Sequence, residues 1–261
     1  MTALAEPGFP GGYSGLVENE SGASPIVLVC EHASRMMPAP WGDLGLSEDQ
    51  RCAHIAWDPG ALGLARGLSA RLDAALVHAP VSRLIYDCNR APDQAGAMAV
   101  RSEFHVIPGN QNLSAEERAA RTEAVYLPFQ AALHGVLMRR LARGRATAVV
   151  TIHSFTPVWH GQPRAVEFGV IHDADDRLAR AILAQAQAQT GLHCGLNEPY
   201  SAADDVTHTL RVQATPYGLL NAMLEIRNDL IADAAAEAAM AERLAPVLRA
   251  ALHSLSPAAA A

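Results

Sequence analysis

The apolar stretches of this chain are short, rich in β-branched residues, and stop abruptly on ionisable ones. "SPIVLVCEHAS" (24–34) runs apolar through Ile26–Cys30 and halts at Glu31-His32. "ATAVVTIHSF" (146–155) halts at His153, and "GLLNAMLEIRNDL" (218–230) halts at Glu225. A run that is apolar without alternation belongs to a strand covered on both faces. Helical patterns separate these runs, so the chain is expected to fold as a three-layer α/β/α sandwich around a mixed, mainly parallel sheet. Such sheets bind ligands beyond the carboxyl ends of their strands, where these ionisable residues fall.

The remaining segments fill in that outline. "LSEDQRCAH" reads as a capped short helix, and "DPGALGLARGLSARLDA" (58–74) as a helix opening at Asp58-Pro59. Residues 75–78 and 83–86 are strand candidates, the second leading into "DCNR". Residues 91–113 carry no periodicity, the mark of a functional loop more often than of a spacer. The stretch 113–144 predicts a long helix capped by Ser114 with Glu117, bent at Pro128 and stopped at Gly144. A strand in "AVEFGVIH", a helix over about 174–190 and a last helix over about 233–253 complete a single domain spanning 1–261. Residues 1–24 are expected to form an extended arm, and 254–261 a frayed tail.

Composition excludes several functions. The chain has no lysine, so its 20 basic residues are all arginine. Lysine Schiff-base and phosphate-loop chemistry are therefore excluded, while arginine suits bidentate recognition of carboxylates. A net charge of −7 argues against a nucleic-acid partner. The four cysteines form no CxxC pair, which points to reduced, mostly buried thiols. No apolar run approaches the roughly 20 residues that span a bilayer, and the N-terminus lacks a signal-peptide pattern. A cytoplasmic protein without a membrane partner is expected; nothing in the sequence sets its oligomeric state.

Three groups of residues could carry chemistry. His32, Asp58 and His153 are donors suited to Zn²⁺, which in catalytic sites takes three protein ligands and keeps a position for water. The alternative is that the histidines are polar strand ends and Asp58 a helix N-cap. Glu225 is either a general base or the partner of an arginine such as Arg227. Arg83, Asn89 and Arg90 in "SRLIYDCNR" are either a carboxylate clamp or surface arginines paired with Asp87 or Asp93. Arg101 and Arg227 are further candidates, and His208 is a candidate substrate contact.

Taken in order, "VLVCEHAS", "HIAWDPGA", "SRLIYDCNR", "TIHSF" and "LEIRNDLI" resemble the N-formylglutamate amidohydrolase family over about residues 25–232. That family is zinc-dependent and related in fold to the zinc carboxypeptidases. The resemblance implies one Zn²⁺ held by His32, Asp58 and His153, with Glu225 as general base. It further implies that Asn89-Arg90 hold a substrate carboxylate, that Arg83 polarises the scissile carbonyl, with Arg227 as the other arginine suited to the oxyanion, and that the protein belongs to histidine degradation. The expected reaction converts N-formyl-L-glutamate, or another small anionic N-acyl amino acid, to the free amino acid. A carboxypeptidase-like hydrolase and a catalytically weak binding protein for an acidic metabolite are the alternatives. Better-characterised deformylases of the family open on a "PHSG"-like stretch where this chain reads "CEHAS". Glu31 is then either a partner orienting His32 or a ligand itself.

Overall fold

The computed structural model describes residues 12–255. Seven strands form the main sheet: β1 (Leu16–Glu18), β2 (Ile26–Cys30), β3 (Ala75–His78), β4 (Ala148–Phe155), β5 (Phe168–Ile171), β6 (Cys194–Leu196) and β7 (Leu220–Arg227). Their order is β1-β3-β2-β4-β7-β5-β6. The central β3-β2-β4-β7 block is parallel throughout. β1 joins one edge antiparallel, and β5 and β6, parallel to each other, join the other edge antiparallel to β7.

Both faces of the sheet are covered, which is why the strands lack polar alternation. Helix α1 (Glu48–Cys52) is short and capped; Ile26, Leu28 and Cys30 pack with residues of α2 (Ala61–Leu72), α5 (Arg177–Gln189) and α6 (Ala234–Ser254). Val27 and Val29 face the opposite layer, which includes Phe129, Leu133 and Leu137 of α4 (Leu127–Ala142). The expected three-layer α/β/α sandwich is observed. No helix among the described residues is long and apolar enough to cross a membrane. The cysteines are unpaired, with Cys30 and Cys88 buried.

Five expectations need correction or refinement. Residues 83–86 form no strand: the chain turns there, with Leu84, Ile85 and Tyr86 buried as a plug. The carbonyls of Leu84 and Ile85 accept hydrogen bonds from Asn110 Nδ2 and Arg121 Nη1, so this apolar run is satisfied without a ladder partner. The supposed arm contains β1; residues 1–11 of it lie outside those described. The tail expected over 254–261 falls mostly on residues 256–261, also outside those described, while α6 continues to Ser254. The long helix divides into α3 (Ala115–Arg121), a π turn (Thr122–Tyr126) and α4. Pro128 has no N–H to offer the carbonyl of Ala124, and that carbonyl accepts the N–H of Tyr13 instead. The proline break thus fastens the N-terminal segment to the helix layer. Residues 91–113 hold two 3-10 turns and a small hairpin, Arg101–Ser102 with His105–Val106.

Candidate active site

Strand parity decides which ionisable groups meet. On β4, Ala148, Val150 and Ile152 face α2 and α6, so His153 faces the other way; on β7, Ala222, Leu224 and Ile226 do the same for Glu225. The register sets Glu225 directly beside His153. Gly169 of β5 pairs with Glu225 on its other side. Glu31 follows β2 on the same alternation. Glu31, His153 and Glu225 are all buried, together with His32 and Asp58.

Asp58 reaches this group because the chain turns sharply behind it. Its N–H donates to the His32 carbonyl at 2.9 Å, and α2 begins only after Gly60, in the left-handed region at φ +79°. A Cβ at residue 60 would collide with the Ile231 carbonyl, so glycine is required there. The Asp58 side chain caps no helix. Its Oδ2 lies 3.2 Å from His32 Nδ1 and 2.9 Å from His153 Nδ1, and accepts the Ser154 N–H at 3.3 Å. The two Nδ1 atoms are 3.2 Å apart.

This donor set fits a metal ion. Tetrahedral zinc with bonds of about 2.0–2.1 Å puts its ligand atoms about 3.3 Å apart, close to the spacings here. Charge points the same way: Glu31, Asp58, Asp87 and Glu225 are buried around the site, and Arg83 is the guanidinium directly paired with two of them. Burial alone would push the carboxyls of Asp58 and Asp87 up, but the imidazole of His32 and, for Asp87, Arg83 hold them well below the usual range. Burial would likewise lower His153, yet Glu31 and Asp58 raise it well above an ordinary histidine. The carboxylates thus demand positive charge where the three donor atoms converge.

Each candidate ligand histidine has a carboxylate behind it. His32 Nε2 lies 2.7 Å from Asp87 Oδ1, and His153 Nε2 lies 3.2 Å from Glu31 Oε2. Such partners leave the opposite nitrogen free to face a metal. Glu31 therefore stands behind His153 and not behind its sequence neighbour His32. Asp87 is the residue that sequence reasoning missed, having read it only as an arginine's partner. The requirement of a ligand histidine for a carboxylate behind it is the signal that could have found it.

A cavity of about 340 Å³ opens over these groups, lined also by Arg83, Asn89, Arg90 and Glu225. Arg83 donates to Asp58 Oδ1 at 3.3 Å and to Asp87 Oδ2 at 2.9 Å. Glu225 Oε2 is buried without a hydrogen-bond partner, and burial, aided by the charge of Asp58, pushes its carboxyl up to about 7. Arg90 donates from Nη1 to the Asp204 carbonyl at 2.8 Å. Asn89 is committed to the fold: its Nδ2 donates to the Val206 carbonyl, and its Oδ1 accepts the Thr209 N–H at 2.9 Å.

Two expected substrate contacts are placed elsewhere. Arg227, two residues beyond Glu225 and on the same face of β7, pairs with Asp229 and Glu167 and does not line the cavity. His208 is buried beside the site with Nε2 bonded to the Tyr126 hydroxyl at 2.8 Å, and does not line the cavity. His54, Trp159 and Tyr200 do line it.

Fold and site together define an α/β protein with a candidate metal centre at the carboxyl ends of its parallel strands. The chain belongs to the N-formylglutamate amidohydrolase family, whose model matches residues 24–232. Membership supports an amidohydrolase activity. The gene product Atu2144 from Agrobacterium tumefaciens is 51% identical, with a TM-score of 0.91 over 94% of this chain and 97% of its own. An N-formylglutamate amidohydrolase from Ralstonia eutropha JMP134 shares the fold at 17% identity, with a TM-score of 0.72 over 92% of this chain and 98% of its own. A metallo-carboxypeptidase from Burkholderia cenocepacia superposes at a TM-score of 0.41 and 12% identity, over 91% of this chain and 59% of its own. No curated protein matches the sequence.

Proposed function

We propose that this chain is a zinc-dependent hydrolase of the amide bond in an N-formyl or small N-acyl amino acid, with N-formyl-L-glutamate as the reference substrate. The observation that carries this reading is the convergence of His32 Nδ1, Asp58 Oδ2 and His153 Nδ1 beside the buried carboxyl of Glu225. One zinc ion held by His32, Asp58 and His153 would supply Lewis acidity to the carbonyl and lower the pKa of water toward about 7.

Glu225 takes a proton from the attacking water and delivers it to the leaving nitrogen; it lines the cavity beside His153 with Oε2 unpartnered, placed for both transfers. Arg83, fixed between Asp58 and Asp87, holds positive charge where the oxyanion develops. Arg90 receives the substrate carboxylate. Asn89 acts through the chain it holds, fastening residues 206–209 against the cavity. Arg227 and His208 have no part in this scheme.

The joining of the two hairpins that supply Ser102 and Trp159 to the cavity lining favours a small substrate over a peptide. Glu103, in the hairpin of residues 101–106, accepts the N–H of His160, from the hairpin Val158–Pro163. The Phe104 and His160 rings meet edge to face at 4.9 Å. The test is formate or free amino acid release by the zinc-loaded protein from N-formyl and N-acetyl amino acids, repeated after chelation. Turnover that disappears with the metal is expected; an absence of turnover across the panel overturns the reading.

A further inference from the structure

We propose that the cavity selects substrates with a single carboxylate and a flat, apolar side chain, such as N-acyl aromatic amino acids, and that Arg164 positions the wall that selects them. This narrows the amide hydrolysis argued above and rests on it.

The wall consists of Phe155, Trp159 and Tyr200, all lining the cavity. Phe155 lies two residues beyond His153 on β4 and so shares its face. Trp159 belongs to the hairpin that follows, and Tyr200 to a loop about forty residues further on. Arg164, which does not line the cavity, joins the three. Its guanidinium carbon lies 5.4 Å from the Phe155 ring centroid, 5.0 Å from that of Trp159 and 4.9 Å from that of Tyr200. One Nη donates to Tyr200 Oη at 2.9 Å and the other to the Thr156 carbonyl at 3.5 Å. A cation shared by three rings fixes them as one surface although they come from separate segments. Met223 and Val206 also line the cavity and add apolar area.

Positive charge is scarce on the same lining. Its guanidinium groups are Arg83 and Arg90. Arg83 is held between Asp58 and Asp87 and serves the oxyanion in the scheme above, while Arg90, bonded to the Asp204 carbonyl through Nη1 and 4.0 Å from Asp87 Oδ2 through Nε, is the remaining guanidinium for one carboxylate. His54 is paired with Glu103 at 3.2 Å. A second carboxylate, such as that of a glutamate side chain, would meet aromatic rings and the Asp204 and Glu225 side of the cavity. A buried carboxylate without a partner is strongly disfavoured. An aromatic side chain fits the wall with no such penalty.

The test compares N-formyl-L-phenylalanine, N-formyl-L-glutamate and N-formylglycine on the zinc-loaded full chain. The phenylalanine substrate is expected to have a kcat/KM about tenfold or more above that of the glutamate substrate, a size typical of one pocket contact. Arg164→Leu is expected to erase that preference while leaving N-formylglycine within about twofold, and Arg164→Lys to restore part of it. Faster turnover of N-formyl-L-glutamate overturns the inference and leaves the hydrolase reading standing. An equal loss on all three substrates in Arg164→Leu overturns the role of Arg164. If the wild type turns over none of them, the hydrolase reading fails, and titration calorimetry of the same compounds on Glu225→Gln decides the preference by its order of binding.

Discussion

Glu225 and His153 stand opposite each other in the parallel pairing of β7 with β4, and their side chains share one face of the sheet. The strand register therefore places a carboxyl that burial has raised to about 7 beside a candidate metal ligand. If Glu225 is the general base, Glu225→Gln keeps the shape and removes the proton acceptor. We expect kcat to fall by about 10²–10⁴ with zinc content unchanged. Elemental analysis alongside steady-state kinetics checks both; undiminished kcat excludes the role.

The same carboxyl predicts a pH-dependent stability in metal-free protein. Its folded pKa, about 7, lies above its ordinary value of 4.5. The stability it contributes is full below 4.5 and is lost as the pH rises through about 7. Glu225→Gln escapes that loss, so its advantage over the wild type should grow by about 1–3 kcal/mol between pH 5 and pH 8. Urea unfolding in the presence of a chelator measures it, and a constant difference across that range contradicts the assignment.

Removing a ligand should remove the metal. His32→Ala and His153→Ala each leave two of the three converging donors, too few for a catalytic zinc site. Both proteins are expected to purify with little zinc after dialysis against a weak chelator. Full occupancy in either one contradicts the proposed ligand set.

Asp87 should matter without touching the ion. Its 2.7 Å contact with His32 Nε2 fixes the ring and leaves Nδ1 facing Asp58 and His153. Asp87→Asn is expected to weaken zinc affinity by about 10–100-fold. Competition with a chromogenic chelator reads the change, and an unaltered affinity would remove Asp87 from the site.

Asn89 should act on stability. Its buried amide bonds the chain at both Val206 and Thr209. Asn89→Ala leaves a half-buried carbonyl and a buried N–H unpaired, at a cost of about 1–3 kcal/mol. A melting temperature equal to that of the wild type would return Asn89 to the list of free substrate contacts.

Much of this arrangement was legible in the sequence. The apolar runs ending at Glu31-His32, His153 and Glu225 marked the strands and the end of the sheet that carries the site. The Ser114–Glu117 cap was legible because both of its hydrogen bonds are local. The run at 83–86 misled because apolarity reports burial and not conformation: Asn110 and Arg121, both remote in sequence, satisfy backbone groups that a strand partner would otherwise take.

The sequence by itself determined the strands that carry the site, their polar ends and the residue types gathered there, since strand and helix periodicity are properties of neighbouring residues. Only the tertiary structure decided which partner each group received. His32 and His153 meet across 121 positions of sequence, Asp87 and not Glu31 stands behind His32, and Asn89 is spent on a segment 120 positions away. Arg227 pairs with Glu167 and Asp229 outside the cavity lining, and Arg164 gathers three rings that no local pattern connects. These pairings are set by sheet register and chain closure, which fix distances between segments that sequence spacing leaves free.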